Sequence, residues 1–245
     1  MQTGRHELPK ETWIYVADTA FLPYGAKPSD VIKDRAVKIT SFLIHEKVKA
    51  ILVACNTATA LSIDFLRQTF PDTIFIGVEP AVRPAVKLTR TKIIGILATE
   101  ATTDSLRLSQ LISRFGKGVQ VIIQPCHGLV ESIERGQLGD ETSKKLLEKY
   151  VKPLLEQGVD TIALGCTHYS FVTSVIREIA GESINLIDTC KPVLKELKEK
   201  LSSKQILATT KMRKTQVWTT KNSSGTTNLI QKVCSNNVNV SQITI

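Results

Sequence analysis

The chain has 245 residues, 42% hydrophobic and 22% charged, which excludes a disordered polypeptide and fits one large domain or two small ones, each able to bury a core unaided. No apolar run approaches the roughly 18 residues of a membrane span, and residues 1–10 are polar, without the apolar stretch of a secretory leader. The net charge of +9 is uneven: residues 1–190 carry 22 basic and 21 acidic side chains, residues 191–245 carry 10 and 2, so the body is near neutral and the excess belongs to the tail.

Short β-branched runs alternate with helical patterns. Strands are predicted at residues 13–17, 50–54, 74–78, 93–97, 119–123, 161–164 and 184–187. Amphipathic helices are predicted at 29–46 and 141–157 among others. This order predicts an α/β fold built of βαβ units around buried parallel sheets. Pro80 and Pro84 interrupt the pattern and are expected to mark a domain crossing. The expected division is residues 1–85 plus 188–245 for the first domain and 86–187 for the second. Beyond Lys200 the chain turns polar and basic, residues 222–227 are rich in Ser, Thr and Gly, and a weak helix is predicted over 228–234. The tail reads as a solvated segment covering a sheet edge, with Lys195, Lys198, Glu199 and Lys200 facing water. A weak, nonspecific attraction to nucleic acid through its charge is left open.

The most informative feature is an internal repeat. Val48-Lys-Ala-Ile-Leu-Val-Ala-Cys55-Asn-Thr-Ala matches Val159-Asp-Thr-Ile-Ala-Leu-Gly-Cys166-Thr-His-Tyr position for position. Each copy is a buried strand, a small residue, a cysteine at the carboxyl end, then small polar residues leading into a helix. Ligands of open α/β sheets bind beyond the carboxyl ends of strands, so the repeat predicts two similar domains facing each other across a cleft, with a thiol on each wall. A helix N-terminus beneath each sulfur is expected to depress the thiol pKa. Two matched thiols suit a symmetric reaction. Racemisation at an amino-acid Cα needs a base on one face and an acid on the other, with the roles reversed for the other enantiomer. Fixed donors must stabilise the carbanion, and Asn56, Thr57 and Thr59 on one crest and Thr167 and His168 on the other supply them.

The residues resemble glutamate racemases, cofactor-independent enzymes that make D-glutamate for peptidoglycan. The resemblance rests on Tyr15-Val-Ala-Asp-Thr-Ala-Phe-Leu-Pro-Tyr-Gly25, Val53-Ala-Cys-Asn-Thr-Ala58, Gly77-Val-Glu-Pro80, Ala98-Thr-Glu-Ala-Thr102 and Leu164-Gly-Cys-Thr-His-Tyr169, in the family's order and spacing across residues 13–190. It implies that Cys55 and Cys166 are the catalytic thiols, and that Tyr24, Gly25, Asn56, Thr57, Thr167 and His168 hold the substrate. It also implies that His168 and Glu134, in Leu129-Val-Glu-Ser-Ile-Glu-Arg-Gly136, tune the cysteines. Thr99 and Thr102 are further expected contacts. The implied protein is cytoplasmic, acts on glutamate without a cofactor or metal, and has no membrane segment; a homodimer is left open. The family opens with a strand ending in Asp-Ser-Gly, which this sequence lacks; the expectation is a misplaced start or a truncation in preference to a decayed copy, with activity of the chain as given in question. Another two-cysteine racemase, for aspartate or a hydantoin, and a non-catalytic binding protein are the rival readings.

Other residues have plainer expectations. The five cysteines are an odd, sparse count that reads as reduced cytosolic thiols, and Cys126, Cys190 and Cys234 are expected to be structural. His127 beside Cys126 does not make a metal site. His6 and His45 are expected at the surface. Asp18 with Thr19 is expected to fix the Pro23-Tyr24-Gly25 loop, and Gly25 to provide close backbone approach or a positive φ. No phosphate loop, dinucleotide fingerprint or pyridoxal-type lysine context stands out.

Overall fold

The computed structural model describes residues 1–210, 215–221, 230 and 239–245. It opens with a short helix, α1 (Gln2–Glu7), which the sequence pattern does not predict, and continues into β1 (Ile14–Ala17). A 3-10 turn at Tyr24–Ala26 precedes α2 (Ser29–His45), β2 (Ile51–Val53), α3 (Asn56–Thr69) and β3 (Phe75–Gly77). Residues 78–81 lead into α4 (Val82–Leu88), whose Val82 and Ala85 pack with Ile94, Ile96 and Ala98. Next come β4 (Ile93–Ala98), α5 (Glu100–Thr103), α6 (Leu106–Phe115), β5 (Gln120–Pro125), α7 (Leu129–Glu134), α8 (Glu141–Glu156) and β6 (Thr161–Gly165). A second 3-10 turn at Thr167–Val172 leads into α9 (Thr173–Ala180), β7 (Asn185–Ile187), α10 (Cys190–Ser203), β8 (Gln216–Thr219) and β9 (Val240–Gln242).

All seven predicted strands form, within a few residues of their expected ends, and every ladder is parallel. The second half is one sheet in the order β5-β4-β6-β7. Its central strands β4 and β6 are covered by helices on both faces, which is why they read as unbroken apolar runs and not as alternation. One core lies between this sheet and α7, α8 and α9, around Leu129, Leu147, Leu154, Ile162 and Ile176. The other lies beneath α4 and α6, around Ile94, Ile96 and Leu108. Helix starts follow local chemistry: Asp140 accepts from the Ser143 N–H at 2.8 Å to begin α8, and Ser105 accepts from Leu108 at 3.2 Å to begin α6.

The first half is built differently. Its strands form two sheets, β1-β8-β9 and β2-β3, and among the described residues no ladder joins β1 to β2. Side chains connect them instead. Helix α2 sets Ala36 and Val37 against Ile51 and Phe42 edge-on against Trp218, ring centroids 5.5 Å apart. On the opposite face α10 packs Val193, Leu194 and Leu197 against Trp13, Leu52 and Ile76.

The basic tail departs from expectation. It covers an edge, that of β1, but as strands and not as a solvated segment: β8 pairs with β1 in register Ile14–Gln216 to Ala17–Thr219, and Val217 and Thr219 are buried. Lys195, Lys198, Glu199 and Lys200 do face water. The weak helix predicted over 228–234, and Cys234 with it, lies outside the described residues apart from Ile230, which packs with Ala17 and Val217. Among the described residues no helix is long and apolar enough to cross a membrane.

Candidate active site

The two halves of the repeat place their cysteines in the same backbone conformation. Cys55 follows β2 with φ −144° and ψ 123°; Cys166 follows β6 with φ −145° and ψ 133°. Each caps the turn that follows it. The Cys55 sulfur accepts from the Ala58 N–H of α3 at 3.5 Å, whereas Cys166 introduces a 3-10 turn before α9. The two crests touch: the Thr167 hydroxyl, next to Cys166, donates to the carbonyl of Ala54, next to Cys55, at 3.1 Å.

The thiols differ in their surroundings. Burial pushes the Cys55 thiol up to about 11, although the amide of Ala58 and the Thr57 groups act the other way. The helix-terminus argument predicted a depressed value; here desolvation of the thiolate exceeds the help of the α3 N–H groups. Cys166 lies 3.9 Å from His168 Nδ1, and His168 Nε2 lies 2.6 Å from Glu134 Oε1. Burial opposes a charged His168, but the hydrogen bonds to Cys166 and Glu134 outweigh it and push the imidazole up to about 10. These bonds favour the charged form of the imidazole that stands 3.9 Å from the Cys166 sulfur.

Between the crests lies a polar wall. Thr57, Thr99 and Thr102 form a closed trio of buried hydroxyls, with Thr57–Thr99 at 2.9 Å, Thr57–Thr102 at 3.2 Å and Thr99–Thr102 at 3.0 Å. Thr57 comes from α3 and the other two from the second half. Asn56 is 3% exposed, yet its Nδ2 and Oδ1 have no hydrogen-bond partner. Buried polar groups are seldom left so, and this one sits at the first turn of α3, where the helix dipole favours an anion. Gly25 is here for close approach and not for a positive φ: a Cβ on it would meet Thr99 Cβ at 2.9 Å. Arg107 fastens the halves behind the wall, bonding Glu79 at 2.5 Å and Asp64 at 3.0 Å. A small cavity there is lined by Asn56, Glu79, Thr102 and Arg107 and reaches neither thiol.

Two thiols on matching crests that touch, with threonine hydroxyls and the Asn56 amide beside them, could move a proton to and from an amino-acid Cα. Residues 2–197 match the family model described as Asp/Glu/Hydantoin racemase. The chain belongs to that family. Within it the chain sits with the glutamate racemases, which are isomerases. It is 43% identical to the glutamate racemase of Ectopseudomonas mendocina over 214 residues, 87% of this chain and 81% of that protein. Among solved structures, a glutamate racemase isoform from Bacillus anthracis superposes with a TM-score of 0.91 at 26% identity, covering 100% of this chain and 92% of that one. The Escherichia coli glutamate racemase, solved with L-glutamate and the activator UDP-MurNAc-ala, superposes with a TM-score of 0.87 at 27% identity, covering 98% and 91%.

The racemase-family residues expected from sequence converge as follows. Cys55, Asn56 and Thr57 stand on one crest, Cys166, Thr167 and His168 on the other, with Glu134 behind His168, and the Tyr24–Gly25 turn lies against Thr99. Of the remaining described cysteines, Cys126 is 3% exposed and Cys190 half-buried, and burial, aided at Cys190 by Asp188, pushes both thiols up to about 12. His6 and His45 are exposed as expected. Asp18 does fix the loop, accepting from the Tyr24 hydroxyl at 2.5 Å, but Thr19 does not: it bonds Thr219 at 2.6 Å and so ties β1 to β8. Sequence reasoning missed Arg35, which holds Asp18 from α2. A signal existed, since Arg35 falls inside the buried stripe Ile32, Ala36, Thr40 of an amphipathic helix.

Proposed function

We propose that the chain interconverts L- and D-glutamate without a cofactor, Cys55 and Cys166 exchanging the roles of base and acid. A thiolate on one crest takes the Cα proton, and the thiol on the other delivers its own proton to the opposite face. The product is the enantiomer, and the two sulfurs have traded protonation states. The observation that carries this reading is the pair of crests with matching backbone angles, one sulfur on each, joined through Thr167 and Ala54.

The surroundings support a division of labour in the free protein. Cys55, raised to about 11, rests as the thiol and is the ready acid. His168, 3.9 Å from Cys166 and backed by Glu134, is placed to take up and return a proton at that sulfur. The unpartnered Asn56 and the α3 N-terminus suit a carboxylate, the threonine trio offers hydroxyls across the cleft, and the Tyr24–Gly25 turn, Thr167 and His168 close around the ligand. We further propose a cytoplasmic role supplying D-glutamate for peptidoglycan; support comes from the E. coli relative, whose structure carries UDP-MurNAc-ala as an activator.

The test is Cα deuterium incorporation from D₂O into each enantiomer of glutamate, followed together with optical rotation. Cys55→Ser and Cys166→Ser are each expected to abolish racemisation; near-normal turnover in both directions by both variants would refute the two-thiol mechanism. The family model also covers aspartate and hydantoin substrates, so the assay is run on those too. Faster exchange on aspartate than on glutamate would move the substrate assignment.

A further inference from the structure

We propose that Asp18 and Arg35 are positioning residues for the substrate turn, and that the C-terminal segment of the chain completes their arrangement. The proposal rests on the glutamate reading above and extends it to residues that touch no substrate. Asp18 directly follows β1 and is 9% exposed. Its carboxylate is fully engaged: Oδ2 accepts from the Tyr24 hydroxyl at 2.5 Å and Arg35 Nε at 3.0 Å, and Oδ1 from Arg35 Nη2 and the Thr220 hydroxyl, each at 2.8 Å. Arg35 is 1% exposed, donates Nη1 to the main-chain oxygen of Ile245, and lies with its guanidinium 4.0 Å from the centre of the Phe21 ring.

The pair therefore grips the turn at both ends, Phe21 by stacking and Tyr24 by its hydroxyl, while the opposite side of the turn rests on Thr99 through Gly25. Burying such a pair is costly. Desolvation of two charges often cancels their attraction, so that apolar residues of similar volume serve stability equally well. Arg35 occupies a stripe whose other members are Ile32, Ala36 and Thr40, where an apolar residue would pack. What the ion pair adds is direction: a fork that fixes the carboxylate, and a carboxylate that fixes one phenol. Thr220 and Ile245 belong to the segment that carries β8 and β9, so the tail reaches the site by holding the pair, not by its positive charge.

The experiment uses the full chain and the variants Asp18→Asn, Arg35→Lys, Tyr24→Phe and Asp18→Asn/Tyr24→Phe. Losing a hydrogen bond to a charged group corresponds to about tenfold or more in an equilibrium. Each single variant is accordingly expected to raise KM for both enantiomers about tenfold, with kcat changed less than about threefold. Amide exchange across residues 21–27 is expected to accelerate about tenfold, with β4 and β6 unchanged. In the Tyr24→Phe background Asp18→Asn adds less than about threefold, because it acts through the phenol. A pair that merely staples the tail would lower the melting temperature with KM and turn exchange unmoved, or would multiply with Tyr24→Phe, and either result overturns the proposal. If Arg35→Lys fails to fold, the isosteric Asp18→Asn and Tyr24→Phe decide. If the parent chain incorporates no deuterium into glutamate, the functional reading fails, and exchange at residues 21–27 alone decides this one.

Discussion

Replacing Glu134 with Gln removes one charge and keeps the shape of the group 2.6 Å from His168 Nε2. Both side chains are less than a third exposed. At an effective dielectric constant of about 20, unit charges about 4 Å apart interact with about 4 kcal/mol, and an opposite charge at such range shifts a pKa by about 1–3 units. His168, raised from 6.5 to about 10 by Cys166 and Glu134 against the pull of burial, should therefore titrate roughly 1–3 units lower in Glu134→Gln. The sign of the stability effect follows. A histidine whose folded pKa exceeds its unfolded one contributes stability that is complete below about 6.5 and is lost as pH rises toward about 10. The parent protein should lose stability across that window, and Glu134→Gln should lack about 1–4 kcal/mol of it at pH 6. The assay is NMR titration of the imidazole signals, only four histidines being present, combined with urea unfolding at pH 6 and pH 9. The basic limb of turnover should move to lower pH with the imidazole. A His168 that titrates near its ordinary value in the parent, or does not move in Glu134→Gln, would refute the reasoning.

Three further substitutions separate structural from functional roles. Asp160 accepts from the Arg90 N–H at 2.6 Å and the Thr91 N–H at 3.0 Å; burial alone would raise its carboxyl, but these bonds, with the hydroxyls of Thr89 and Thr161, hold it at about 2 instead of 3.8. Its contribution, about 2 kcal/mol, is present above pH 3.8 and lost as pH falls toward 2, and Asp160→Asn should remove most of it in urea unfolding at pH 7. Asn56→Ala should leave stability within about 1 kcal/mol, because removing an unsatisfied buried group offsets the cavity, while KM for glutamate rises about tenfold or more; a loss above about 2 kcal/mol would show that Asn56 is satisfied in the free protein. Gly77→Ala would place a Cβ 2.5 Å from Thr59 Cγ2 and 2.9 Å from Ile63 Cδ1. Thr59 is pinned by bonds to Val53 and Val78, so thermal unfolding should show a loss of about 1–3 kcal/mol.

What the sequence made legible follows from how local each signal is. The seven strands carry their own runs of β-branched residues, and the thiol crests are a strand–Cys–polar pattern repeated within a few residues. Strand β8 escaped because Val217 and Trp218 make too short an apolar run in a polar, basic stretch; its burial is decided by pairing with β1, some 200 residues away in the chain. Helix α1 has no apolar stripe to announce it, although Gly4 is buried against Trp13. The Glu134–His168 contact spans 34 residues and has no pattern of its own, so only the resemblance to a family pointed to it. The direction of the Cys55 shift was missed because a helix N-terminus is visible in sequence and the loss of water around a sulfur is not.

The interrupted ladder of the first half has a mechanical meaning. Tyr24 hangs from β1 through Asp18, and Cys55 is carried by β2, yet no main-chain bond is shared between those two strands. In the second half, the strand carrying Cys166 is stitched into a four-strand fabric on both sides. The sheet behind Cys166 is thus a single plate, and the strands behind Tyr24 and Cys55 have a seam between them. Sliding along that seam would break no backbone hydrogen bond between β1 and β2 and would be opposed only by the side chains that α2 and α10 pack across it, whereas the same displacement of Cys166 would break the β4–β6 or β6–β7 ladder.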